Sequence, residues 1–157
     1  MLEALIIYLS IIFGSLIHVI AKEEIKLGKK YIALAKNILI ILASVSLIYL
    51  NLGLSSILFL LLGFVIFIFL KNIYLVIGAA AFLSLFAPNP VLSLSFISLL
   101  AMVHSSLSSP NKKTLISNSV YFILPFSLVL IETFIKGNLD IFIGFVAGGL
   151  LAQLKGP

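Results

Sequence analysis

The chain has 157 residues, of which 62% are hydrophobic and 10% are charged, and its formal net charge is +5. A soluble domain of this length is about half apolar and about a quarter charged, so the composition excludes an ordinary soluble protein and indicates lipid as the solvent. All the basic residues are lysines that lie mostly in short breaks between apolar stretches, which is typical of topology signals rather than of nucleic-acid binding. The absence of cysteine excludes disulfides and thiolate metal sites.

Seven apolar stretches follow one another along the chain, and we expect each to be a membrane-spanning helix of one all-α, polytopic bundle. They cover residues 3–21, 31–50, 54–70, 73–87, 91–108, 115–135 and 141–154. A straight span needs about 20 residues. The fourth and seventh stretches are shorter than this, so six spans is the alternative to seven.

The placement of lysine predicts the orientation of these spans. The lysine-rich segment, residues 22–30, follows the first stretch and is expected in the cytoplasm, which puts the N-terminus outside. Alternation then places Lys71, Lys113 and Lys155 inside, and Lys136 alone falls on the outer side. The prediction is therefore a multi-pass protein of the cell membrane.

An internal repeat is suggested by matching features in the two halves of the chain. His18 ends the first stretch and His104 ends the fifth, and a Gly-Phe-Val triplet occurs in both the third and the seventh. We hypothesise parallel three-helix units at residues 1–71 and 91–157, joined by the helix at 73–87, as in some transporters. Chance matching within an apolar chain is the alternative.

Glu132 is the most notable polar residue inside a span, because an ionisable group in lipid is costly and often functional. One interpretation is a cation or proton site. The other is an i,i+4 ion pair with Lys136 near the outer end of the helix, in the favourable order. We favour the ion pair.

The two histidines, His18 and His104, both fall near the cytoplasmic ends of their helices. A histidine pair can bind metal or relay protons. Each can also bond a backbone carbonyl at a helix C-terminus, which we favour because a metal site needs three or four ligands and spacing ties no others to this pair. No metal or cofactor is expected.

The lysine-rich segment is predicted to be a solvated turn that ends where the second helix begins, at Tyr31. Its alternative interpretation is a docking surface for a protein partner or for anionic lipid headgroups. Beyond it, Lys36 is expected to snorkel back to the interface. The charged residues of the segment are Lys22, Glu23, Glu24, Lys26, Lys29 and Lys30.

Small residues indicate where helices approach closely. Gly144 and Gly148 have G-x-x-x-G spacing in the seventh stretch, and Gly78 opens a run of alanines in the fourth. Such faces pack helices together in lipid, either within the bundle or in a homo-oligomer. Pro125 is expected to kink the sixth helix.

Part of the chain resembles the prepilin-type intramembrane aspartyl peptidases. The similar features are residues 77–80 (Ile-Gly-Ala-Ala), a proline turn, a small-residue helix and residues 121–126 (Tyr-Phe-Ile-Leu-Pro-Phe). Residues 69–72 (Phe-Leu-Lys-Asn) stand where the family has its G-x-G-D motif, and the one aspartate, Asp140, is elsewhere. The resemblance therefore implies a relative without catalytic aspartates. The three-one-three order of helices also resembles that of SWEET-type sugar transporters.

Three functions are consistent with these features. The first is a non-enzymatic structural or accessory subunit of a membrane complex, favoured because few polar groups are expected to be buried. The second is a small-solute or lipid transporter, suggested by the repeat, Pro125 and Glu132. The third is the degenerate peptidase relative. Enzymatic activity is not favoured, because the sequence contains no nucleophile–base pair, phosphate loop or cofactor motif.

Overall fold

The computed structural model describes the backbone of residues 2–50, 54–70, 72–86, 90–108 and 112–154. In these ranges the chain is helical apart from short turns and has no strand, which confirms the all-α prediction. The helices are α1 (Leu2–Ile20), α2 (Lys22–Leu50), α3 (Leu54–Leu70), α4 (Ile73–Ser84), α5 (Pro90–Leu107), α6 (Lys112–Ile123), a 3-10 segment (Leu124–Ile131), α7 (Glu132–Gly137) and α8 (Leu139–Ala152).

These helices follow the seven predicted apolar stretches in order, with α6, the 3-10 segment and α7 together forming the sixth. Three helical stretches are long and apolar enough to cross a membrane, namely Lys22–Tyr49, Pro90–Leu107 and Lys113–Gly137. The other apolar helices, α1, α3, α4 and α8, have 19, 17, 12 and 14 residues, fewer than the about 20 that a straight span needs. The structure thus supports a membrane protein with three helices of spanning length, fewer than the seven predicted.

Some of the breaks between the predicted stretches, and two of the lysines that predict topology, fall on other residues. The breaks at 51–53 and 88–89, and the positions of Lys71 and Lys155, lie outside the described residues.

The lysine-rich segment is helical, so the prediction of a turn before Tyr31 is wrong. The second helix begins at Lys22, and only Ala21 separates it from the end of α1. Lysine and glutamate are good helix formers, and the segment has no proline. Glu23 and Glu24 lie in the first turn, where acidic side chains interact favourably with the helix dipole.

Helices α3 and α8 are the most closely packed pair, and glycine makes their approach possible. A Cβ atom added at Gly144 would overlap the carbonyl oxygen of Ser56, and one added at Gly148 would overlap that of Leu60. Gly63 of α3 faces the backbone of α8 in the same way. Residue numbers rise together along both helices, so the pair is parallel.

Glycine also allows close backbone contact between α1 and α5 and between α4 and α6. Gly14 of α1 lies against the carbonyl oxygen of Met102 in α5, and Gly78 of α4 lies against that of Phe122 in α6. One turn further along, His18 bonds the carbonyl oxygen of Ser106, so α1 and α5 are also parallel. Small residues therefore join helices within one chain at Gly78, Gly144 and Gly148, which is one of the two arrangements that the sequence leaves open.

The outer surface of the bundle is apolar. Large aliphatic and aromatic side chains are exposed on most of the helices, including Ile20, Phe69 and Leu130, which is 89% exposed. Apolar surface on this scale is unusual for a soluble monomer and suits contact with lipid tails.

We predict that Gly148→Ala lowers the free energy of unfolding by about 1–3 kcal/mol, because the added methyl group forces the backbones of α3 and α8 apart. Gly28→Ala is the matched control. Its added Cβ would meet only the Ile32 side chain at 3.8 Å, so helix propensity alone predicts unchanged or higher stability. Thermal unfolding in detergent measures both, and equal behaviour of the two variants would contradict the packing account.

Candidate functional site

A polar cavity of about 630 Å³ lies inside one end of the bundle. Its volume falls in the range of small-molecule sites. The polar side chains that line it come from α2, the start of α4, α5, α6 and the end of α8. They are Lys36, Asn72, Tyr74, His104, Asn118 and Gln153.

The cavity lies at the end of the bundle where the lysine-rich segment begins. Phe67 and His104 are near the C-terminal ends of α3 and α5, Gln153 follows α8, and Asn72 precedes α4. The helices α3, α5 and α8 therefore finish at this end, and α4 starts there. By the distribution of lysine, this is the end that the sequence predicts to be cytoplasmic.

Lys36 is the lysine among the described residues that line the cavity. Its side chain is 6% exposed, and among the described residues it forms no hydrogen bond or ion pair. The sequence predicts that it snorkels to the interface, but neighbouring helices bury it at the cavity wall instead. Its ammonium is not among the fully buried unpaired atoms, so it borders the space of the cavity, where it offers a positive charge and hydrogen-bond donors.

Tyr74 and His104 form a second part of the wall. Their rings pack edge to face with centroids 5.2 Å apart. The hydroxyl of Tyr74 and Nδ1 of His104 are buried without a hydrogen-bond partner among the described residues. Buried polar atoms are normally paired, so these two can bond a ligand or a water molecule in the cavity.

The cavity is positively charged. Asn72 caps α4 by accepting hydrogen bonds from the backbone N–H groups of Tyr74 and Leu75, at 3.1 and 3.2 Å, so the positive end of the α4 dipole lies at the cavity. No carboxylate is found among its described lining residues. The arrangement is suited to an anion.

Glu132 is not part of this cavity. Its carboxylate pairs with the ammonium of Lys136 at 2.5 Å, in the i,i+4 geometry predicted from the sequence, and both side chains are partly exposed. The Lys136 ammonium also lies 5.4 Å from the centre of the Phe86 ring. A separate role for Glu132 in cation or proton binding stays a prediction.

The two histidines have different surroundings. Nδ1 of His18 donates a hydrogen bond to the carbonyl oxygen of Ser106 at 2.7 Å, near the end of α5, which is the structural role predicted for it. His104 faces the cavity instead. No group of three or more metal-ligating side chains occurs among the described residues.

The remaining candidates lie outside the cavity. The charged residues of the lysine-rich segment are exposed on the first turns of α2, and docking there stays a prediction. The carboxylate of Asp140 accepts a hydrogen bond from the hydroxyl of Ser55, which links α8 to α3.

One feature of the sequence points to this site. Lys36 is the one ionisable side chain well inside the second apolar stretch, and by the argument applied to Glu132 it is a functional candidate. Asn72, Asn118 and Gln153 lie at the ends of apolar stretches, where polar residues are ordinary. Only the packing of the helices shows that they meet.

No family model, curated protein or solved structure matches the chain. The function is therefore inferred from the cavity.

We predict that Tyr74→Phe leaves the free energy of unfolding of the ligand-free protein unchanged or raises it by at most about 3 kcal/mol. The reason is that it removes a buried hydroxyl that has no partner among the described residues. The matched control is Tyr8→Phe, which removes a hydroxyl bonded to Ser119 at 3.2 Å and should cost about 0.5–1.5 kcal/mol. Thermal unfolding in detergent compares the two. A greater loss in Tyr74→Phe would mean that this hydroxyl has a structural partner.

Proposed function

We propose that the chain is a multi-pass membrane protein that binds a small anionic ligand at Lys36, in a cavity open to the cytoplasmic end, and that it transports or handles this ligand. The observation that carries the proposal is the largely buried side chain of Lys36, which forms no hydrogen bond or ion pair among the described residues and lies at the wall of a polar cavity. An ionisable group at such a position in a membrane protein is by default a functional candidate.

This proposal places the second sequence-based function ahead of the first. The accessory-subunit hypothesis depended on the expectation of few buried polar groups. The described chain buries Lys36 and several serines, and it leaves the Tyr74 hydroxyl unpaired. A purely structural subunit has no use for an unpaired charge in its interior, whereas a ligand-binding protein does.

The chemistry of recognition follows from the types of side chain present. Lys36 supplies a charge and three donors, and the hydroxyl of Tyr74 and the amides of Asn118 and Gln153 supply neutral donors. Hydrogen bonds from charged donors to phosphate or carboxylate are about twice as strong as neutral ones. We therefore assign the main binding energy to Lys36.

Seven spans with the N-terminus outside are part of the same proposal. Parallel packing of α1 with α5 and of α3 with α8 supports alternation, because both pairs are separated by an even number of crossings. A short helix such as α4 or α8 is accommodated in a bilayer by local thinning or by burial among longer neighbours. Most of α4 and α8 is buried in this way.

We predict that purified protein in an uncharged detergent binds inorganic phosphate saturably, and that Lys36→Met weakens binding at least tenfold, or about 1.4 kcal/mol. The control is Lys29→Met, which removes the same charge from an exposed position of α2 and should change affinity less than twofold. Calorimetric titration measures both. Equal loss in the two variants would indicate general charge attraction and would contradict a site at Lys36.

The topology is tested by single cysteines, since the chain has none of its own. In sealed right-side-out vesicles, a membrane-impermeant maleimide should label Asn138→Cys directly. Lys29→Cys and Leu154→Cys should react only after the membrane is permeabilised. Direct labelling at position 154 would mean an even number of spans and would overturn the seven-span arrangement.

A further inference from the structure

A second cavity, of about 240 Å³, lies beside the polar one. Its lining side chains in the described part of the chain are all apolar and come from α3, α4, the 3-10 segment, α7 and α8. They include Ala79, Pro125 and Leu128. Its described side chains provide no hydrogen bond or charge for a charged solute, whereas a hydrocarbon chain can pack against them.

Phe67 belongs to the walls of both cavities. It is among the residues that line the polar cavity and among those that line the apolar cavity. It is held in place by edge-to-face packing on Phe145, with ring centroids 5.5 Å apart. A single side chain therefore stands at the boundary between the positively charged space and the apolar space.

The outer wall of the apolar cavity is the 3-10 segment. Leu124 and Leu128 line the cavity and are also 53% and 40% exposed on the apolar outside of the bundle. The segment contains Pro125 and runs for eight residues, whereas 3-10 helices longer than three or four residues are uncommon and often mark hinges. The wall between the cavity and the surrounding lipid is thus one layer of side chains on an irregular helix.

We propose that the ligand is an anionic amphiphile with a single hydrocarbon chain, whose phosphate-type head lies at Lys36 and whose chain passes Phe67 into the apolar cavity. This inference rests on the proposed anion site and names its substrate class. The charge at Lys36 and the position of Phe67 in the walls of both cavities favour one molecule that fills both when the Phe67 ring turns aside. A free phosphate would use the polar cavity alone.

The test is a titration series of inorganic phosphate, butyl phosphate and octyl phosphate on the full chain in an uncharged detergent. Each methylene group buried in the apolar cavity should raise affinity about fourfold, which corresponds to about 0.8 kcal/mol. Octyl phosphate should therefore bind at least tenfold more tightly than butyl phosphate. Lys36→Met should weaken binding of both at least tenfold.

Two tryptophan variants distinguish binding of the hydrocarbon chain in the cavity from partition of the ligand into detergent micelles. Leu128→Trp fills the apolar cavity and should remove the advantage of octyl over butyl phosphate while leaving inorganic phosphate binding unchanged. Leu130→Trp makes the same change in the same segment, on a side chain that is 89% exposed and does not line the cavity, and should preserve the advantage. Ala79→Leu fills the cavity from α4 and replaces Leu128→Trp if that variant does not fold.

The possible results are distinct. Binding that depends on Lys36 but not on chain length would overturn the amphiphile and leave a free anion as the ligand. An octyl advantage that survives in both cavity-filling variants would reflect detergent partition and would also overturn it. If none of the three phosphates binds the unsubstituted protein more tightly than Lys36→Met, the proposed function itself is overturned.

Discussion

The bundle depends on the close approach of parallel helix backbones at glycine. In lipid the hydrophobic effect no longer drives helices together, so association relies on packing and backbone contact. Gly63, Gly144 and Gly148 bring α3 and α8 into contact, and Gly14 and Gly78 do the same for their own helix pairs. With these pairs locked, the positions of the helix ends are set relative to one another.

The polar cavity is a consequence of where those ends lie. The helices α3, α5 and α8 finish at the same end, and the short α4 begins there, which leaves space that Lys36 reaches from α2. Acidic side chains elsewhere have other surroundings: Glu132 pairs with Lys136, and Asp140 accepts a hydrogen bond from Ser55. Glu23 and Glu24 are exposed on the first turn of α2. The packing thus produces a site with positive charge and several unpaired polar atoms.

Hydropathy was enough to predict the helices and their order, because apolar runs of helical length leave few other structures in lipid. Hydropathy did not predict that the lysine-rich segment is helical, because in a polar segment the helix propensity of lysine and glutamate determines the secondary structure. The cavity could not be predicted, since Lys36, Tyr74 and His104 lie on three helices and meet only through tertiary packing. Glu132 attracted notice from sequence because its position is unusual, yet local pairing with Lys136 accounts for it.

The chain contains two histidines, one at the cavity and one bonded to Ser106, and this provides the most direct test of a ligand at the polar cavity. Protein labelled with ¹⁵N in its imidazoles would be titrated with octyl phosphate in an uncharged detergent, with His18→Gln used to assign the two sets of signals. The account predicts saturable shifts of the His104 resonances and none for His18. Equal shifts for both histidines, or no shift at His104, would contradict it.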